Sequence, residues 1–132
     1  MGVDLERAAP EQQSALSEQT TPRERALAQT VMPYDEHQRM LLLWCLKEAL
    51  SKALRCGLTV PFGLLEVASL VPLPGGVRAR FENFSQYEGI AFCAAPFCLA
   101  LVMPHTARWE APDEAASSQM LRDCLGEVAS LG

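Results

Sequence analysis

The chain has 132 residues, the length of one small domain. About half of it is apolar (49%), mean hydropathy is just positive and the formal charge is −5, too polar on average for a polytopic membrane protein. Without a basic stripe, and with Trp44, Trp109, Tyr34 and Tyr87 not interleaved with Lys or Arg, no nucleic-acid partner is expected.

The average conceals a contrast. Residues 1–34 read as a polar N-terminal tail with a short helix, and residues 35–132 as a single helical, hydrophobic domain. "MGVDLERAAPEQQ" carries Asp4, Glu6 and Glu11 and lacks the apolar centre of a signal peptide; it is also too acidic for a transit peptide. Residues 1–20 are expected to form a mobile tail or a loosely held helix. A helix starts more clearly in "TPRERALAQTV": Thr21 can cap, Pro22 suits the first helical position, Glu24 completes a capping box and Pro33 ends it.

"DEHQRMLLLWCLKEALSKALRCG" has the strongest helical period in the chain. Asp35 is the expected N-cap. Leu42, Leu46, Ala49, Leu50, Ala53 and Leu54 share an apolar face, and Lys47, Glu48, Ser51, Lys52 and Arg55 crowd the opposite one. Such a helix most often lays its apolar face on a core; it can also lie on a membrane with its basic side chains snorkelling.

Two apolar runs follow. Between Cys56 and Pro74 the ionisable side chains are Glu66 and the Cys56 thiol, and prolines stand at 61, 72 and 74. "GIAFCAAPFCLALVMP", Gly89 to Pro104, has no charge and would rise about 24 Å as a helix, somewhat short of the ~30 Å hydrocarbon core. Extension back to Phe84 gives membrane length, and a mid-run Pro96 is tolerated in lipid. Between the runs, Gly75-Gly76 signals a reversal and "VRARFENF" alternates as a short strand would. The tail, residues 112–130, reads as an amphipathic helix with Met120, Leu121, Cys124, Leu125 and Val128 on one stripe.

The search for chemistry yields little. The five cysteines, at 45, 56, 93, 98 and 124, are odd in number and read as buried free thiols. Cys93 and Cys98 lack the second pair that a zinc site needs, and His37 and His105 have no pairing pattern. No metal, cofactor or catalytic residue is assigned, and the chain is not expected to be an enzyme. The candidate substrate- or partner-binding residues are Glu66, Pro61, Pro96, Arg78 and Arg80. Glu66 leads them, because an ionisable group inside a span is costly.

Residues 50–109 resemble the C-terminal region of the sideroflexins, mitochondrial inner-membrane carriers. "LSKAL" (Leu50–Leu54) resembles that family's segment before a hydrophobic helix, "VPFGLLE" (Val60–Glu66) the helix, and "AAPFCLALVMP" (Ala94–Pro104) its last span. The resemblance implies the mitochondrial inner membrane, and amino-acid transport or support of a larger membrane complex. The leading expectation is therefore a mostly α protein. Two membrane-associated helices, Cys56–Pro74 and Phe84–Pro104, are flanked by amphipathic helices 36–55 and 112–130. Its partners would be membrane lipid and other subunits or copies of itself.

The alternative is a small soluble, cytoplasmic α+β module. Pro96 then splits the run into strands "GIAFCAA" and "FCLALVM", joined by "VRARFENF" in a sheet under helix 36–55. Such a module would bind a partner protein without catalysis.

Overall fold

The computed structural model describes residues 1–55 and 61–105; the expected helix 112–130 lies outside them. Five strands form one antiparallel sheet: β1 (Gly2–Arg7), β2 (Val67–Leu73), β3 (Gly76–Phe81), β4 (Tyr87–Ala94) and β5 (Phe97–Pro104), in the order β1-β5-β4-β3-β2. Three α-helices, α1 (Gln13–Gln19), α2 (Pro22–Val31) and α3 (Glu36–Leu54), lie between β1 and β2 in the chain. The fold class is α+β.

The expectation of two membrane helices is corrected. Among the described residues no helix is long and apolar enough to cross a membrane. The run from Gly89 to Pro104 is a β-hairpin, paired from Tyr87↔Pro104 to Ala94↔Phe97, with Ala95 and Pro96 as its turn. Pro96 follows a cis peptide bond. The run looked like a lipid-facing helix because both faces of the sheet are apolar here. Ala91, Cys98, Ala100 and Val102 face the main core, whereas Ile90 and Phe92 form a second buried cluster with Leu73, Phe97, Leu99 and Leu101. Alternation of apolar with polar, the usual mark of a strand, is thereby erased. Where described, the other run (Cys56–Pro74) is a short 3₁₀ turn, Phe62–Leu65, followed by β2. β2 is an edge strand, where Pro72 is tolerated because its missing N–H need not pair inward.

The helices start where their caps stand. The Thr21 side chain accepts from Glu24 N–H and the Glu24 carboxylate accepts from Thr21 N–H, closing a capping box around Pro22. Asp35 accepts from Gln38 N–H at the start of α3. α3 is the central helix and packs on β1, β5 and β4. Its buried side chains include Leu41, Leu42, Leu43, Cys45, Leu46, Ala49 and Leu50, so burial extends well beyond one stripe.

Residues 1–20, expected to be a mobile tail or a loosely held helix, supply an edge strand as well as α1. β1 pairs with β5 from Gly2↔Val102 to Arg7↔Phe97 and crosses beneath α3. A Cβ at Gly2 would stand 1.8 Å from the Ala49 carbonyl oxygen. Only glycine lets the strand approach the helix this closely. This contact brings β1 against the residues that make the candidate site.

Candidate active site

Side chains two apart on a strand share a face, as do side chains four apart on a helix. On β1, Asp4 and Glu6 point to the α3 side, while Val3 and Leu5 are exposed. On α3, Trp44, Glu48 and Lys52 fall at i, i+4 and i+8. The close approach at Gly2 apposes the two sets. Lys52 Nζ lies 2.7 Å from Asp4 Oδ1 and also donates to the Val3 carbonyl at 3.2 Å. The Trp44 indole N–H reaches Glu6 Oε1 at 3.4 Å. Beneath them the Cys45 thiol donates to the Asp4 carbonyl at 3.1 Å. A cavity of about 160 Å³, lined by Glu6, Gln12, Ala15, Leu16, Leu41 and Trp44, opens beside this group. Larger cavities, of about 270 and 490 Å³, are lined by residues other than Asp4, Glu6 and Glu48.

Lys52 thus pairs with Asp4, and Glu6 and Glu48 are near enough to feel both charges. Burial, then the neighbouring Asp4, push the Glu6 carboxyl up to about 7, against the pull of the Trp44 indole. Burial and the Asp4 charge likewise raise Glu48 above the usual carboxylate range, with Lys52 opposing. The hydrogen bond from Lys52 to Asp4 raises the lysine, keeping it charged. Two buried oxygens, Asp4 Oδ2 and Glu48 Oε1, have no hydrogen-bond partner apart from the Glu6 carboxyl, which bonds the Asp4 side chain when protonated. Such atoms are costly unless something supplies positive charge.

An all-carboxylate donor set with unpaired oxygens fits a hard divalent cation of the Mg²⁺ type. Asp4, Glu6 and Glu48 are the residues that would hold it. Among the described residues no three such side chains are already drawn around one point, and Lys52 carries the counter-charge on Asp4.

The raised Glu6 gives a pH prediction. Protons compete with the cation, so Mg²⁺ affinity is expected to rise about tenfold per pH unit below about 7 and to flatten above it. Without cation the sign for stability is opposite. The folded chain keeps a proton that the unfolded chain has released, so stability falls as pH rises from 4.5 to about 7. Calorimetric titration with MgCl₂ on either side of neutrality, with the proton release measured, checks both. A pH-independent affinity would contradict the assignment of Glu6.

The residues singled out from sequence lie elsewhere. Glu66, between the 3₁₀ turn and β2, accepts from the Thr21 hydroxyl at 2.8 Å. Pro61 is exposed at the start of that turn. The Pro96 carbonyl, in the β4–β5 turn, accepts from Ala8 N–H at 2.7 Å. Arg78 and Arg80 are on β3: Arg78 Nε pairs with Glu88 at 2.8 Å and Arg80 lies 3.0 Å from His105 Nε2. The residues that do converge were missed, although one signal was present. Acids alternate in "GVDLE", and Trp, Glu and Lys recur every fourth residue in "WCLKEALSK".

A family model, that of the 4'-phosphopantetheinyl transferase superfamily, matches residues 1–102. No curated protein matches the chain. The family match corrects the sideroflexin resemblance, whose quoted motifs were mostly apolar segments that the fold uses as a 3₁₀ turn and a hairpin. Transport and a mitochondrial membrane location lose their support with it. The superfamily is one of transferases, so the expectation of a non-enzyme, shared by the α+β alternative, is corrected as well. The matched region contains the strand bearing Asp4 and Glu6 and the helix bearing Trp44, Glu48 and Lys52: the chain belongs to the 4'-phosphopantetheinyl transferase superfamily.

Proposed function

We propose that the chain transfers a 4'-phosphopantetheinyl group from coenzyme A to a serine hydroxyl of a carrier protein, at the apposition of β1 and α3. The observation that carries this reading is the Asp4–Lys52 ion pair, with Glu6 and Glu48 raised by the Asp4 charge beside it, inside the family match. In such a transfer the acceptor oxygen bonds to the donor's phosphorus. The bond from that phosphorus to the pyrophosphate bridge oxygen breaks, and the nucleotide half leaves as a phosphate. Protein catalysis of phosphoryl transfer is largely positioning and charge stabilisation.

A bound divalent cation supplies Lewis-acid stabilisation of the phosphate oxygens. The chain's own residues do the rest. The Lys52 side chain is 51% exposed, so its ammonium can leave Asp4 to meet an anionic donor. Glu48 takes the proton from the acceptor hydroxyl through its Oε1, which has no hydrogen-bond partner. Trp44 orients Glu6 by hydrogen bond and walls the small cavity, which gives part of the donor's apolar arm a place.

The test is direct. Purified chain is incubated with coenzyme A, MgCl₂ and an apo carrier protein, and the carrier's intact mass is followed. The expected result is addition of one phosphopantetheinyl group at its serine, abolished by chelator. A panel of carrier proteins that gains no mass, with no coenzyme A binding by calorimetry, would overturn the reading.

A further inference from the structure

Three of the cysteines lie together behind the acidic cluster. Cys93 on β4 and Cys98 on β5 are directly opposed in the hairpin register, and their sulfurs are in contact at 2.6 Å. Both are free thiols. Directly opposed residues of an antiparallel pair have Cα atoms about 4.5–5.5 Å apart, inside the span a disulfide bridges. The third, Cys45, is fully buried and committed elsewhere: its thiol donates to the carbonyls of Asp4 and Cys98, at 3.1 and 3.4 Å.

The two partners are not equivalent. Cys98 is 1% exposed, whereas Cys93 is half-buried at the rim of the core. A reagent from solvent reaches Cys93 first. Contact with Cys93, then burial, push the Cys98 thiol up, so it stays protonated and unreactive until the Cys93 sulfur beside it becomes part of a mixed disulfide.

We infer that Cys93 and Cys98 form a thiol–disulfide modification site, oxidised by a small-molecule disulfide of the glutathione type. The Cys93 thiolate attacks one sulfur of oxidised glutathione, forming a mixed disulfide and releasing one glutathione. Cys98 attacks the Cys93 sulfur and forms the Cys93–Cys98 bond, and the second glutathione leaves as its thiol, carrying off the Cys98 proton. Two cysteine thiols are oxidised by two electrons, and one glutathione disulfide is reduced to two thiols. The site rests on the hairpin geometry and does not depend on the transferase reading.

One tryptic peptide, Phe81–Arg108, contains both residues and no other cysteine. The full native chain is treated with oxidised glutathione, unfolded, alkylated with N-ethylmaleimide and digested. The peptide is expected to lose the mass of two hydrogens, to carry neither alkyl group nor glutathione, and to regain two alkylatable thiols after reduction. In Cys98→Ser the glutathione adduct should stay trapped on Cys93. In Cys93→Ser the buried Cys98 should remain unmodified in the folded chain. Two alkylated thiols in the treated wild-type peptide, a persistent glutathione adduct with Cys98 present, or a link to another peptide would each overturn the inference.

Discussion

Replacing Asp4 with asparagine is expected to lower kcat/KM for phosphopantetheinyl transfer by about a thousandfold while leaving the fold intact. Asp4 is the hub of the cluster. It pairs with Lys52, raises Glu6 and Glu48 by its charge, and holds one buried oxygen with no partner apart from a protonated Glu6. Asparagine keeps the shape and removes the charge. Mg²⁺ affinity should fall with activity, since one of three carboxylates is lost. Stability should not fall. The ion pair with the half-exposed Lys52 is worth little, and an under-compensated carboxylate disappears from a buried position. Glu6 and Glu48 should also return toward ordinary carboxylate values, moving the pH dependence of Mg²⁺ binding downward. Kinetics, a Mg²⁺ titration and a melting curve on the same preparation separate the outcomes. Retention of activity within about tenfold would remove Asp4 from the machinery, and loss of activity only through unfolding would make it structural.

The ends of α2 and α3 were legible because capping is local chemistry. Thr21, Pro22, Glu24 and Asp35 act on backbone within four residues. The break at Pro96 was legible for the same reason, and the α+β alternative built on it lies closer to the architecture than the helical reading. β1 was not legible. Its acids face inward and its apolar Val3 and Leu5 face outward, the reverse of the usual pattern, so it read as a polar tail. The charge-free hairpin misled for the complementary reason, since both of its faces are apolar. The site was hidden because it exists only when Gly2 lets β1 touch α3, a contact between residues more than forty apart in the chain. Lys47 is the sharpest case: the helical period groups it with the polar residues opposite the apolar face, yet its side chain is buried.

Lys47→Met is expected to destabilise the fold by about 3–5 kcal/mol, a large share of the total for a domain of this size. Lys47 and Glu24 form an ion pair at 2.6 Å with both side chains 0% exposed. The lysine also donates to the Gln19 carbonyl at 2.7 Å. The Glu24 carboxylate accepts in addition from Thr21 N–H and Val67 N–H, each at 2.8 Å. The pair therefore ties α3 to the α1–α2 corner and to the start of β2. Methionine has similar volume, so the loss comes from the charge left on Glu24 and from the unpaired Gln19 carbonyl, and no cavity is needed to explain it. Glu24→Met leaves the lysine charge buried and also strips the Thr21 and Val67 N–H groups of their acceptor, so it should cost more. The double variant removes both charges and should be less destabilised than the sum of the singles, a coupling that urea unfolding of all four proteins measures. Single variants within about 1 kcal/mol of wild type would show that the pair is not buried as described. Strict additivity would show that the two residues do not act as a pair. Lys47 adjoins Glu48 in the sequence, so activity needs its own readout. The folded fraction of Lys47→Met should turn over near the wild-type rate, because Lys47 faces α2 and Glu48 the acidic cluster. The same turn of α3 thus presents one charged side chain to the core and the next to the chemistry, and only the second should move kcat.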